Sequence, residues 1–399
     1  MIKFNGISAD DSEMLNRRIF KMDKEEYFTV TPRVLLSNSE NVILIQSKDN
    51  GVCLEGEFMV MIVPYYDYEY IPFHDSKDDI ITVEAKDGKL EFKYFFPSEQ
   101  LYRVIIGEAK EGDIGILLKT TVYAVDKDLF PLKTLIGDLH SHTIHSDGFD
   151  TPESVVRFAS ARKLDFVAVT DHNNYQGSVA AQKAAMQNDL PITVINGEEY
   201  SSTFTKMHII SLGAPAPLDE ACYNFTPDNP DKVLSEVEYI KLLCKRIKAN
   251  GGISVLCHPL WKPLLSDGSR IDVPLSTVRE LMEDEVFDAV EIVGGSPIED
   301  QMTSQMQFLI SVGYGATPDK VAYLGSTDSH SYRIDPICGN HFTIIFAEEN
   351  TSESILNAIR SKRTVAAQIL NPSNVLLFGI PRYCMFAQYC LKRILKRIK

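Results

Sequence analysis

Apolar positions along the chain follow two different rhythms. Up to about residue 130 they come in short alternating or β-branched runs, at 27–31, 42–45, 58–63, 102–106 and 116–125, the period-two pattern of strands with one buried face. Around Asp87-Gly88 two such runs, within 80–92, flank a dipeptide that supplies the positive φ angles of a tight hairpin turn. This part reads as a small β-sandwich. Beyond Pro131 the rhythm changes. Apolar strands at 134–136, 166–169, 192–195, 208–212, 253–256, 289–293 and 321–324 alternate with amphipathic helical stretches at 152–162, 178–187, 231–249, 274–283 and 300–312, the signature of a parallel sheet with crossover helices. Thr151-Pro152 opens the first of these helices as N-cap and first-turn proline. Roughly seven strand–helix units would close into a barrel. The expected fold is therefore α/β, a distorted (β/α)7 barrel over 134–370 preceded by a β-rich domain over 1–133 and followed by a basic amphipathic tail over 371–399.

The polar residues that interrupt this pattern are not scattered. His140 and His142, Asp171-His172, Glu198-Glu199, His258 and Asp328-Ser329-His330 each fall at or just beyond the end of a predicted strand. In a parallel α/β barrel those ends gather on one face, where active sites are built. Residues two apart on an extended chain point the same way, so His140 with His142, and Asp328 with His330, can face one point. Imidazole and carboxylate without thiolate suit Zn, Mn or Fe, and so many donors imply two or three divalent ions.

In order, the strings His140-Ser141-His142-Thr143 with Ser146-Asp147-Gly148, Thr170-Asp171-His172-Asn173, Gly197-Glu198-Glu199-Tyr200-Ser201, Met207-His208, Cys257-His258-Pro259 and Ser326-Thr327-Asp328-Ser329-His330 resemble the PHP (polymerase and histidinol phosphatase) domain of metallohydrolases over 134 to about 365. The resemblance implies a trinuclear site. One metal would be held by His140, His142, Glu199 and Asp328. A second would share Glu199 and take His208 and His258, and a third would take Asp147, His172 and His330. It places the bridging carboxylate at Glu199 rather than Glu198, because Ser201 completes a Gly-x-Glu-x-Ser register. Asp171 is expected to orient the His172 ring, and Arg333 and Lys262 are the cations nearest in sequence to meet an anionic substrate. His145 is expected at the rim or in solvent, His341 in a structural role and His74 exposed.

The implied activity is metal-dependent hydrolysis by a metal-activated hydroxide, with a small phosphorylated metabolite or nucleotide as substrate. The N-terminal β domain also resembles the branch that includes carbamate-ester hydrolases, so a carboxyl-ester, carbamate or amide substrate is the alternative. A non-catalytic binding module is the second alternative, against which stand nine retained ligand positions.

Charge and cysteines narrow the setting. The net charge of −15 argues against an extended nucleic-acid surface, although six Lys/Arg and no acid lie between Arg382 and Lys399, leaving −21 on the remainder. There Phe386, Cys390, Leu391, Ile394, Leu395 and Ile398 share one helical stripe. Docking on an acidic protein surface or self-association into a homo-oligomer is favoured over contact with an anionic membrane. Seven scattered cysteines without a C-x-x-C, no signal-like segment and no apolar run of membrane length point to a cytoplasmic protein.

Overall fold

In a computed structural model, residues 2–4, 27–48, 52–65, 80–110, 113–201, 205–218, 234–260, 274–294, 301–335, 337–371 and 374–398 are described. The chain forms two compact units, Met1–Pro131 and Leu132–Lys399.

In the first unit, a five-stranded and a three-stranded sheet enclose one apolar core. Phe28, Ile43, Ile45, Leu90 and Phe92 from the smaller sheet pack with Phe58, Val60, Ile62, Val104 and Ile106 from the larger. The Asp87-Gly88 turn forms as expected. Both residues have positive φ (51° and 73°), and Lys86 and Lys89 exchange backbone hydrogen bonds of 2.9 and 3.0 Å. Its two arms nevertheless part: Ile80–Glu84 joins the larger sheet and Lys89–Phe96 the smaller. A turn fixes where the chain reverses. Which sheet each arm enters is decided by tertiary pairing.

The second unit is a mixed α/β domain with a nearly closed, barrel-like sheet. Its strands are β1 (Lys133–Asp138), β2 (Phe166–Val169), β3 (Thr193–Tyr200), β4 (Ile209–Leu212), β5 (Ile253–Leu256), β6 (Ala289–Val293), β7 (Ala322–Gly325), β8 (His341–Ala347), β9 (Thr364–Asn371) and β10 (Asn374–Gly379). They are paired in the order β7-β6-β5-β4-β3-β2-β1-β8-β9-β10. Strands β2 and β4 to β8 are buried along their whole length, which is why they read as continuous apolar runs. At the seam the Gly325 N–H donates to Thr343 Oγ at 3.0 Å, and that hydroxyl donates to the Gly325 carbonyl at 2.8 Å. A Cβ at Gly325 would stand 2.5 Å from the Phe342 oxygen, so only glycine allows this approach.

The sheet departs from the expected parallel order at β4, which runs antiparallel to both β3 and β5. Only residues 201–208 separate β3 from β4, and a parallel return needs a dozen or more. The segment beyond residue 371 opens with β10, paired to β9, and continues as helix α1 (Pro381–Ile398). Phe386, Ala387, Leu391 and Ile394 of α1 are buried, with the Phe386 and Phe346 rings 5.4 Å apart. The apolar stripe of this basic helix thus docks on its own barrel sheet. No helix among the described residues is long and apolar enough to cross a membrane.

Candidate metal centre

Backbone ladders continue past the strand ends and hold the polar segments in register. The His142 N–H donates to the Ser329 carbonyl (2.8 Å), Asp328 N–H to the His140 carbonyl (3.0 Å), Asn173 N–H to the Glu199 carbonyl (2.9 Å) and Cys257 N–H to the His208 carbonyl (3.2 Å). The antiparallel run of β4 explains why His208 precedes its strand while Glu199 stands at the end of β3 and the remaining donors follow theirs: the start of β4 lies at the same rim as the ends of β3 and β5.

Glu199 sits at the middle, with its side chain fully buried. Its Oε2 lies 3.2 Å from His140 Nε2, 3.2 Å from His142 Nε2 and 3.0 Å from His172 Nδ1. Its Oε1 lies 2.9 Å from His208 Nδ1 and 3.3 Å from His258 Nε2. Asp328 Oδ1 is 3.2 and 3.0 Å from the His140 and His142 Nε2 atoms. On the open side, Asp147 Oδ2 is 3.2 Å from His330 Nε2 and 3.7 Å from His172 Nε2. Ligand atoms within 4.8 Å of one another form several groups: His140, His142, Glu199 and Asp328; His172, Glu199 and His208; His140, Glu199, Cys257 and His258; and His142, Asp147, His172 and His330. All nine residues singled out in the sequence as metal ligands fall in these groups.

The donors fit divalent cations better than one another. Glu199 Oε2 and His172 Nδ1 are buried, yet neither has a hydrogen-bond partner, a costly state for polar atoms without a cation to satisfy them. His140 Nδ1 lies 2.9 Å from Glu291 Oε1 and His330 Nδ1 lies 2.9 Å from the Asp328 carbonyl. Donation to these acceptors fixes the tautomer that leaves each Nε2 with a lone pair toward the cluster. Burial alone would lower the His142 pKa, but the Asp328 and Glu199 carboxylates raise it to about 9, and Asp328 is in turn held below the ordinary carboxylate range by His140, His142 and His258. Cys257 lies within reach, but burial and the surrounding carboxylates push its thiol well above the usual range. It is a neutral neighbour. His258 and Asp328 have positive φ (22° and 54°), local strain of the kind that collects at functional sites.

Asp171 does not orient the His172 ring as expected. Its Oδ1 accepts from the Thr143 N–H and the Ser146 hydroxyl and its Oδ2 from the Thr143 hydroxyl, each at 2.7 Å. The carboxylate organises the 143–146 loop instead, because that loop presents three donors to it. The same loop requires Gly148, where a Cβ would stand 2.5 Å from the His142 carbonyl carbon. Arg333 is exposed, and its backbone N–H donates to Asp150 at 3.3 Å. Lys262, like His74, lies outside the described residues. His341 is buried with its pKa lowered to about 4 by burial, and Gln368 Nε2 sits 3.1 Å from its Nε2. His145 is exposed and belongs to none of the groups. Replacing His145 with Ala should therefore leave bound metal per chain unchanged, whereas His140→Ala should lower it. Elemental analysis showing equal content would contradict this arrangement.

Sequence reasoning passed over two buried carboxylates. Glu291 on β6 accepts from His140 through one oxygen and from the His258 N–H through the other, at 3.0 Å; its signal was a single charge inside the apolar string AVEIV. Asp138, at the end of β1, accepts from the Thr327 N–H (3.0 Å), the Thr327 hydroxyl (2.5 Å) and the Tyr332 hydroxyl (2.5 Å). It ties the His140 segment to the Asp328 segment. Burial raises its pKa to about 6 against these bonds.

Comparison with known proteins adds a family to this geometry. Residues 138–246 match the PHP domain family. The 5'-3' exoribonuclease Rnm of Salmonella typhimurium is 35% identical over 101 residues, which are 25% of this chain and 31% of that protein. The 3',5'-nucleoside bisphosphate phosphatase of Chromobacterium violaceum is 38% identical over 78 residues, 19% of this chain and 27% of that enzyme. The chain thus spans less than a third of the length of either relative. A crystal structure from Bacteroides vulgatus, of a two-domain protein containing a predicted PHP-like metal-dependent phosphoesterase, aligns with a TM-score of 0.42 at 19% identity, covering 60% of this chain and 66% of that one.

Proposed function

We propose, on the premise that residues 138–246 match the PHP domain family, that this chain is a metal-dependent phosphoesterase with a three-metal centre bridged by Glu199. The observation that carries this reading is the convergence of five imidazoles on the two oxygens of one buried carboxylate. His140, His142, Glu199 and Asp328 would hold one ion, Glu199, His208 and His258 a second, and Asp147, His172 and His330 the third. Bound divalent cations supply Lewis acidity, which acidifies water and neutralises charge on phosphoryl oxygens. The chain's own part is positional. Glu291 and the Asp328 carbonyl fix two imidazoles, Asp171 fixes the loop that carries Asp147, and burial of His140, His142 and Glu199 keeps bulk water from half of the centre. The more exposed Asp147, His172 and His330 leave the other half open to a substrate.

The relatives' names supply both a nucleotide phosphatase and an exoribonuclease, so the test is a panel of phosphomonoesters, cyclic phosphodiesters and short RNA, run beside aryl carbamates and esters. Metal-loaded protein should hydrolyse a phosphoester. Turnover of the carbon esters alone would overturn the reading.

Metal affinity should depend on pH with a definite sign. Without metal, His142 keeps its proton up to about pH 9, and ligation needs the neutral ring. Binding must therefore release a proton, and affinity should rise about tenfold per pH unit per proton below that value. Calorimetry in buffers of different ionisation enthalpy reads the release directly; a pH-independent affinity would contradict it.

A further inference from the structure

Six large apolar side chains among the described residues are more than half exposed: Phe95 (52%), Ile144 (56%), Phe149 (73%), Met186 (77%), Leu309 (61%) and Ile334 (72%). Single exposed apolar residues are ordinary. Three of these six, however, lie within four residues of Asp147 or His330, on two loops that are fastened together. The Phe149 N–H donates to the His330 carbonyl (2.7 Å) and the Ile144 N–H to the Asp150 carbonyl (3.0 Å). The Ser331 hydroxyl and the Arg333 N–H both donate to Asp150 Oδ2 (2.9 and 3.3 Å). The Ile334 N–H closes the second loop on the Ser331 carbonyl (3.2 Å). Held this way, the apolar groups lose little further freedom when something covers them.

Their position coincides with the open side of the centre. The side chains of Asp147 and His330 are 55% and 37% exposed and His172 is 24% exposed, while those of His140, His142, Glu199 and His258 are exposed by 4% or less. A phosphoryl group that reached the centre from this open side would leave its ester substituent outside, near the loops that carry Phe149 and Ile334.

We propose that Ile144, Phe149 and Ile334 form a recognition rim for the alcohol half of a phosphoester that carries a flat ring, with Phe149 as the stacking surface; this deepens the phosphoesterase reading and rests on it. A phenyl face stacks on any planar base or aryl ring and is indifferent to its hydrogen-bonding edge. The occupant is thus a nucleoside or aryl phosphate, and the exposed Arg333 on the same loop adds a cation for its charge.

The test compares kcat/KM of metal-loaded wild type and Phe149→Ala on a purine nucleoside monophosphate, glycerol phosphate and hexyl phosphate, with Val42→Ala in the N-terminal unit as an exposed-apolar control. Phe149→Ala should lower the ratio of nucleoside to glycerol phosphate by about tenfold, and Val42→Ala should leave it unchanged. An unchanged ratio in Phe149→Ala overturns the rim, as does an equal loss for hexyl phosphate, which would make the surface merely greasy. Failure of wild type on all three phosphates overturns the phosphoesterase reading itself and the rim with it, so the two failures are distinguishable.

Discussion

Replacing Glu199 with Gln is expected to strip the centre of at least two of its ions and to lower phosphoester turnover by on the order of 10³-fold. Among the described residues, Glu199 is the one whose oxygens stand beside imidazoles of all three proposed sites: His140 and His142, His208 and His258, and His172. The amide keeps the volume of the carboxylate but removes its charge. It also turns an –NH2 toward the ring nitrogens, where its hydrogens occupy lone pairs that a cation would otherwise take. Metal per chain, measured beside a thermal melt, separates loss of ligation from loss of fold. Retention of three ions by a folded Glu199→Gln protein would remove Glu199 from the role of bridge.

Glu291→Gln is the second large effect. No ion needs to touch Glu291 for it to matter, because it accepts from His140 Nδ1 with one oxygen and from the His258 amide with the other. Glutamine can serve only one of these donors and must set its –NH2 against the other. The His140 ring also loses the anionic partner that makes its Nε2 a better donor to metal. Outer partners of this kind are worth about 10–100-fold in metal affinity. The expected result is weaker metal binding of that size, with turnover at saturating metal falling far less. Undiminished affinity with a lowered melting temperature would make Glu291 a packing residue and nothing more.

These two carboxylates mark what the sequence could and could not disclose. The strand-end position made the pair Glu198-Glu199 legible, and the register of the PHP resemblance, completed by Ser201, chose Glu199 from it. Glu291 was not, although a lone charge in AVEIV is a signal, because its meaning depends on which histidine lies across the sheet. Asp171 shows the same limit from the other side. Its place beside His172 suggested that ring as its partner, but three donors of the 143–146 loop hold its two oxygens instead. The alternation of strand and helix foretold a barrel. The reversal of β4 lay in a different quantity, the eight residues between β3 and β4, too few for a crossover. Likewise the Asp87-Gly88 turn was legible in two residues, while the sheets its arms enter follow from pairings tens of residues away.

The central claim is that one buried carboxylate bridges a three-metal centre, and anomalous diffraction from crystals grown with manganese or zinc tests it most directly. The prediction is three metal peaks: one among His140, His142, Glu199 and Asp328, one among Glu199, His208 and His258, and one among Asp147, His172 and His330, with Glu199 touching more than one. A single peak, or Glu199 hydrogen-bonded to protonated histidines with no metal beside it, would contradict the account.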